Sequence, residues 1–272
     1  GWPYFTEHLV LATPDNGAAT AIYAACKATV KVGDGKEITL HEETNYPFEE
    51  GIAFTVSTDE KVAFPFYLRI PSWTQKAEVR VNGKKVSAAP VAGKYLCINR
   101  EWANGDRVEL TLPMSLSMRT WQVNKNSVSV DYGPLTLSLK IAEKYVEKDS
   151  RETAIGDSKW QKGADPQKWP TTEIYPDSPW NYSLVLDKKE PLKNFKVIRK
   201  SWPADNYPFT VASVPLEVKA IGRPVPEWKI DETGLCGVLP EEDAVKGDKE
   251  EITLIPMGAA RLRISAFPNT KE

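Results

Sequence analysis

Short segments with alternating apolar and polar residues, separated by turn sequences, dominate this 272-residue chain. The clearest is residues 77–81, where Ala, Val and Val share one face and charged residues occupy the other, the period of a β-strand. The pair Asn82-Gly83 that follows tolerates positive φ and suits a tight hairpin. Eight such segments precede residue 115 without a long helix between them: 18–25, 28–32, 37–46, 52–58, 64–70, 77–81, 94–99 and 107–112. This spacing favours an antiparallel β-sandwich.

The two ends of this first region differ from it. Residues 4–11 have the apolar spacing of a short amphipathic helix, which Pro14 would end. After residue 115, further strand-like segments follow at 116–123, 127–141, 195–202, 216–221 and 251–267. Gly133-Pro134 inside the second of these predicts a bulge or a switch between sheets. The last is predicted to form two strands joined through Pro256-Met257-Gly258, with Arg261 and Arg263 pointing outward and Leu262 and Ile264 inward.

The predicted fold class is therefore all-β, with two antiparallel β-sandwich domains in tandem after a short N-terminal helical segment. We place this helical segment at residues 1–16, the first sandwich at 17–115 and the second at 116–272. The second sandwich carries an insertion at about residues 143–182. Its part before residue 169 is polar and is predicted to be a long loop.

An aromatic and proline-rich stretch, WPTTEIYPDSPWNY, closes this insertion. Proline fixes φ and withholds a donor, so the stretch is predicted to be a rigid extended loop, anchored by a strand that begins at residue 182. Flat aromatic rings on a stiff backbone suit stacking on sugars. They also suit packing between two domains, and we favour this plainer role. Six residues of this stretch are candidates for carbohydrate binding. The stacking platforms would be Trp169, Tyr175, Trp180 and Tyr182. The hydrogen-bonding partners would be Asp177 and Asn181.

Composition narrows the range of partners. With 26% charged and 41% hydrophobic residues, the chain has the composition of a globular protein. A formal charge of -2 gives no reason to expect nucleic acid or an anionic membrane as partner. Cys26, Cys97 and Cys236 form no CxxC pair and have no nearby histidine, so neither a metal site nor a disulfide scaffold is predicted. We expect the three thiols to be buried as small hydrophobes.

Catalytic groups are scarce. The only histidines are His8 and His41, which leaves few places for a base next to a nucleophile. Glu42 and Glu43 are adjacent on a predicted strand and should point to opposite faces, so they cannot by themselves form the paired acids of a glycosidase. The sequence also has no phosphate-binding glycine loop, HExxH or GxSxG. By its own residues, the chain is not recognisable as an enzyme.

Several segments, in their order along the chain, resemble glycoside hydrolase family 127 (GH127), the β-L-arabinofuranosidase family and its uncharacterised bacterial relatives. They are GWPYFTEHLVLATPDNGAATAIYA, EETNYPFEEGIAFTVST, FPFYLRIPSWTQKAEVRVNGKKV, SVDYGPLTLSL and ITLIPMGAARLRISAFP. The aromatic stretch resembles one branch of that family. The resemblance implies a helical (α/α)6 catalytic barrel followed by β-sandwich domains. It also implies a cysteine nucleophile in a zinc–thiolate cluster and a glutamate acid/base, all on the barrel.

These catalytic parts have no counterpart in the chain. The family's cysteine pair lies just upstream of the segment that resembles Gly1-Trp2-Pro3, and no glutamate here matches the acid/base motif. The resemblance therefore implies the C-terminal β-sandwich region of a longer parent glycosidase, with residues 1–16 as the end of its barrel. It implies no catalytic residue, cofactor or metal in this chain. Zinc is expected only in the missing catalytic domain, which would also be the main partner.

Three hypotheses follow. In the first, the sandwiches are a non-catalytic accessory portion that braces the barrel and lines its cleft. In the second, the chain is a carbohydrate-binding module that uses the aromatic stretch. In the third, it is an independent hydrolase. The resemblance further implies a bacterial parent that degrades arabinose-containing plant glycans, in the periplasm or as a secreted protein.

Overall fold

The computed structural model describes residues 1–153, 163, 165–232, 234–241 and 247–272. Strands dominate this part of the chain, and the α-helices described are α1 (Trp2–Glu7) and α2 (Ser150–Thr153). The predicted all-β class is confirmed, as are its mainly antiparallel sheets and its short N-terminal helix. None of the helices in the described residues is long and apolar enough to span a bilayer.

Two compact units make up the chain. The first comprises Gly1–Leu116 with Tyr132–Leu135, and the second comprises Ser117–Asp131 with Thr136–Glu272. The ten strands of the first unit are β1 (Val10–Ala12), β2 (Ala18–Thr20), β3 (Cys26–Val32), β4 (Lys36–Thr44), β5 (Gly51–Ser57), β6 (Val62–Arg69), β7 (Glu78–Val81), β8 (Lys84–Lys85), β9 (Tyr95–Trp102) and β10 (Arg107–Thr111). They form a four-stranded sheet, β1-β2-β6-β9, and a six-stranded sheet, β3-β4-β5-β10-β7-β8.

The core of the first unit lies between these two sheets. On β6, Phe64, Phe66 and Leu68 alternate inward and are fully buried, as the period of a strand requires. Phe66 packs edge-to-face against Phe54 of β5, with 5.4 Å between the ring centroids. Trp102 of β9 closes the same core and donates its indole N–H to the carbonyl of Phe64 at 3.0 Å. Inward residues from both sheets thus fill one sandwich interior.

The opening segment differs from its prediction. Helix α1 ends at Glu7, and residues 10 and 11, predicted as helix, belong to strand β1 instead. Strand β1 pairs antiparallel with β2, with Leu11 opposite Ala19. The edge of β2 offers these residues a ladder of hydrogen bonds, and this tertiary pairing overrides a weak helical preference.

The second unit is built around one eight-stranded sheet. The described part of this unit contains ten strands: β11 (Leu116–Trp121), β12 (Ser127–Tyr132), β13 (Leu135–Leu139), β14 (Glu143–Lys148), β15 (Thr171–Pro176), β16 (Tyr182–Leu186), β17 (Lys196–Arg199), β18 (Leu216–Pro224), β19 (Glu250–Pro256) and β20 (Asn269–Lys271). The order is β11-β12-β13-β19-β18-β16-β20, with β17 also paired to β18, and β14 and β15 form a separate two-stranded sheet. A bridge between Val128 and Phe267 links β12 to the segment just before β20, so the large sheet curls back toward its own beginning.

Gly133 and Pro134 form the turn between β12 and β13, where a bulge or sheet switch was predicted. Gly133 has a φ of 56°, which suits the first central position of a two-residue hairpin. After β19, a 3-10 turn at Met257–Ala259 and then bends replace the second strand predicted within 251–267. Arg261 and Arg263 are exposed and Ile264 is buried, as the alternation predicted.

Candidate functional site

The two-stranded sheet of β14 and β15 holds the first part of the aromatic stretch. The polar loop predicted before residue 169 is wrong for Glu143–Lys148, which forms β14, while residues 154–162 and 164 lie outside the described part. Tyr175 is opposite Lys144 in the antiparallel register. Threonine, isoleucine and tyrosine are good strand formers, and Thr171–Pro176 contains all three types, so an extended loop becomes a strand once β14 offers it partners.

A short connection then leads from β15 to β16. Two hydrogen bonds hold it to the backbone of Ala142. The Asp177 N–H donates to the carbonyl of Ala142 at 2.7 Å, and the N–H of Ala142 donates to Ser178 Oγ at 3.0 Å. Because proline residues flank this connection, its backbone has little freedom. The next residue but one, Trp180, is therefore presented from a fixed support.

Trp180 is held further by Trp228 and Asn181. The rings of Trp180 and Trp228 pack edge-to-face with 5.2 Å between their centroids. Trp228 is buried and donates its indole N–H to the carbonyl of Gly237 at 2.9 Å. The side-chain amide of Asn181 donates to the carbonyls of Val225 and Trp228, at 3.0 and 3.1 Å. Asn181 thus positions the residues that support Trp180.

Tyr175 and Trp180 line a groove of about 390 Å³ in the second unit. Apolar side chains form most of the wall, and Arg261 and Arg263 supply its cationic groups. The volume falls within the range of ~300–1,000 Å³ typical of small-ligand sites. The Tyr175 hydroxyl donates to Glu173, and this hydrogen bond raises the pKa of Tyr175, so the phenol stays neutral at physiological pH. The groove therefore combines two aromatic rings with two guanidinium groups.

The other predicted sugar-binding residues lie elsewhere. Trp169 is 70% exposed but is not part of the groove lining, and Asp177 is likewise exposed and outside that lining. Tyr182 is only 7% exposed, and burial, followed by its hydrogen bond with Glu250, raises its pKa to about 12. Asn181 uses its amide on backbone carbonyls. The structure thus brings together Tyr175 and Trp180 of the six, and sugar contact by any of them stays a prediction.

Sequence reasoning missed the rest of the groove lining. Leu235, Cys236 and the two arginines approach Tyr175 and Trp180 only through the fold, across more than fifty residues of chain. The outward orientation of Arg261 and Arg263 was predictable, whereas their proximity to the aromatic stretch was not. No local pattern in the sequence links these segments.

A second, more polar groove of about 610 Å³ lies on the outer face of the six-stranded sheet in the first unit. Glu43, Ala53 and Glu109 form one row across β4, β5 and β10, and the small Ala53 leaves the floor low between the two carboxylates. Arg107 Nη1 lies 3.2 Å from Glu43 Oε2, and Arg107 Nε lies 3.6 Å from Glu109 Oε1. Both acids are therefore committed to exposed ion pairs, which stabilise only weakly.

Glu42, next to Glu43, points to the opposite face as predicted and is 1% exposed. Burial raises the pKa of Glu42 to about 8, against smaller opposing effects from the Ala24 backbone N–H and the Cys26 thiol. The Cys26 Sγ lies 3.9 Å from Glu42 Oε2, and burial together with this carboxyl raises the pKa of Cys26 to about 11. Such a thiol is protonated at neutral pH and is a poor nucleophile.

The expectation of buried cysteines is wrong. All three are free; Cys26 is half-buried, while Cys97 and Cys236 are exposed. On β9, for example, Leu96 occupies the inward position and Cys97 the outward one. Among the described residues, no three His, Cys, Asp or Glu side chains are grouped so that they could hold a metal. The cysteines lie on separate elements and do not fit a zinc–thiolate cluster.

Comparison with known proteins relates this fold to one enzyme family. Residues 17–114 match the family model described as the β-L-arabinofuranosidase GH127 middle domain. This match names a middle domain, so the expected C-terminal placement is not confirmed. No match was found among curated proteins.

Solved structures extend the likeness to nearly the whole chain. Ara127N-Se, a GH127 β-L-arabinofuranosidase from Geobacillus stearothermophilus T6, has 21% identity and a TM-score of 0.62 over 98% of this chain and 35% of its own. A protein described as a glycoside hydrolase has 22% identity and a TM-score of 0.60, covering 96% of this chain and 37% of its own. The GH127 β-arabinofuranosidase BT3674 has 22% identity and a TM-score of 0.60, covering 95% and 36%. The chain thus spans about a third of these proteins and shares their fold there, and its residues 17–114 match the GH127 middle domain.

Proposed function

We propose that this chain is a non-catalytic β-sandwich portion of a glycoside hydrolase related to the β-L-arabinofuranosidases, acting on arabinose-containing glycans. The match of residues 17–114 to the GH127 middle domain carries this proposal. In the parent protein, a helical barrel would hold the catalytic cysteine, the zinc and the acid/base. This chain would brace that barrel and form part of the wall of its cleft.

The first unit offers a surface suited to such a contact. Trp2 and Tyr4 of α1 are 79% and 70% exposed. A groove of about 550 Å³ runs between α1 and β3, with Trp2, Phe5 and Leu9 in its lining. Large aromatic side chains grouped on a surface favour coverage by another domain, because water leaves their apolar area on contact. We assign the missing helical barrel of the parent as the domain that covers them.

The test compares the parent protein with this chain alone, using an aryl β-L-arabinofuranoside as substrate. We expect turnover by the parent only. In the parent, Trp2→Ser combined with Tyr4→Ser should lower the melting temperature and weaken activity, whereas Val123→Ser, at a fully exposed site of the second unit, should change neither. Turnover by the isolated chain would refute the accessory role and favour an independent hydrolase.

A carbohydrate-binding module is the second candidate. One observation favours it: Tyr175 and Trp180, both selected as stacking residues, line one groove of ligand size. Aromatic rings held on fixed backbone lose little conformational entropy when a ligand stacks on them. This function is compatible with the accessory role, since the groove lies in the second unit and the family match in the first.

A further inference from the structure

We propose that the groove of Tyr175 and Trp180 binds a carboxylate-bearing sugar, the uronic-acid class of glycan residue, with Arg261 and Arg263 as its anion-binding groups. The inference rests on the carbohydrate-binding candidate function and names its ligand class. It follows from the two arginines that line the same groove as the aromatic residues.

Both arginines have guanidinium donors to spare. Arg261 Nη1 donates to the carbonyl of Phe209 at 3.1 Å, and Arg263 Nε donates to the carbonyl of Ala260 at 2.9 Å. These bonds use one nitrogen of each side chain and fix its direction. Among the described side chains, no carboxylate forms an ion pair with either guanidinium. A guanidinium presents five N–H donors in a planar fork, so each retains several for a ligand.

Glu143 contacts the backbone of Arg261, and both of its carboxylate oxygens already accept hydrogen bonds. Its Oε1 accepts the backbone N–H of Arg261 at 2.9 Å, and its Oε2 accepts the Tyr145 hydroxyl at 2.5 Å. Glu173 similarly accepts the Tyr175 hydroxyl and lies 3.9 Å from Lys148 Nζ. Neither carboxylate lines the groove. Among the described residues of the lining, the charged side chains are therefore Arg261 and Arg263, and both are positive.

A uronic acid has a chemical group for each part of the groove lining, the aromatic rings and the guanidinium groups. The apolar face of a sugar ring can stack on Trp180, which Trp228 and Asn181 hold in place. Its carboxylate can accept paired, charge-assisted hydrogen bonds from a guanidinium, which are about twice as strong as neutral ones. A neutral sugar could stack on Trp180 but could not form the charge-assisted hydrogen bonds with a guanidinium. The groove should therefore discriminate by charge.

The binding test uses tri-galacturonate, its trimethyl ester and neutral arabinotriose as probes, with calorimetry on the whole chain at physiological ionic strength. We expect tri-galacturonate to bind about tenfold more tightly than the ester. Arg261→Gln with Arg263→Gln should abolish this difference and leave ester binding unchanged, while Trp180→Ala should weaken binding of both. Arg80→Gln, an exposed arginine of the first unit, is the matched control and should change neither affinity.

Cysteine labelling gives a second readout at the same place. Cys236 lines the groove and is exposed, and Cys97 is exposed in the first unit. Tri-galacturonate should protect Cys236 from a bulky thiol reagent and leave Cys97 reactive. Equal affinity for acid and ester would overturn the uronate class while leaving sugar binding in place. No binding of any probe, with Cys236 unprotected, would overturn the carbohydrate-binding function as well, without affecting the accessory role.

Discussion

Trp180 and Trp228 lie edge-to-face with 5.2 Å between their ring centroids, and the side-chain amide of Asn181 ties down the carbonyl of Trp228 at 3.1 Å. One partly exposed ring is thus supported by a buried ring and by a hydrogen bond to the backbone beneath it. Removing that hydrogen bond should therefore lower the free energy of unfolding, even when no ligand is bound.

Asn181→Ala should lower the free energy of unfolding by about 1–3 kcal/mol, because it leaves the carbonyls of Val225 and Trp228 without their amide donor. Urea denaturation measures the change. Asn194→Ala, at an exposed position of the same unit, should stay within about 0.5 kcal/mol of the wild type. An equally small effect of Asn181→Ala would show that these bonds do not support Trp180.

Glu42→Gln should change how stability depends on pH. Burial raises the pKa of Glu42 from its ordinary value of 4.5 to about 8, so the folded state holds its proton more tightly than the unfolded state does. The contribution of Glu42 to the free energy of unfolding is fully present below pH 4.5 and is lost as pH rises toward 8. The free energy of unfolding should fall there by up to about 1.4 kcal/mol per pH unit. The neutral glutamine should remove this decline, so the free energy of unfolding of the variant should rise relative to that of the wild type between pH 5 and 8.

The measurement is the unfolding free energy of both proteins at several pH values between 4 and 9. Glu37→Gln serves as the control, since Glu37 lies on the same strand and is exposed. Its pH profile should match that of the wild type. Parallel profiles for Glu42→Gln and the wild type would mean that Glu42 is ionised in the folded state at neutral pH.

Glu217 should show the opposite pH dependence. Burial raises its pKa, but hydrogen bonds from Lys140 and Lys200 outweigh that effect and lower it overall. Its stabilising contribution is therefore present above the unfolded pKa of about 4.5 and is lost as pH falls through the lower folded value. Glu217→Gln should destabilise the chain by about 1–3 kcal/mol at pH 7 and much less at pH 3. A destabilisation that does not change with pH would contradict the charged contact.

Trp102→Ala should be among the most damaging core substitutions. Its ring lies 5.7 Å from that of Phe64 and 6.1 Å from that of Phe66, and it is fully buried. Removing it leaves a cavity and an unpaired Phe64 carbonyl, so we expect a loss of about 3–5 kcal/mol in denaturant unfolding. Tyr95→Ala, on the same strand but exposed, should stay within about 0.5 kcal/mol. Similar losses for both would place Trp102 outside the core.

Local pattern determined most strands of this protein. Alternation predicted Glu78–Val81 and Arg107–Thr111 to within a residue, because a strand with one buried face must repeat every second residue. The same rule predicted Glu42 and Glu43 on opposite faces, and the structure buries Glu42 and exposes Glu43. Turn chemistry likewise located the hairpin at Asn82-Gly83, where both residues have positive φ.

Only the tertiary structure decided which segments meet. β1 and β14 became strands because β2 and β15 offered them hydrogen-bonding edges, against the local preference of their own residues. Tyr182 is buried while Trp180 stays accessible, although both belong to one aromatic stretch. Arg261 reaches that stretch from 81 residues further along the chain. Such contacts depend on how strands are ordered in a sheet, and the order is set by burial and pairing across the whole unit, which no local period encodes.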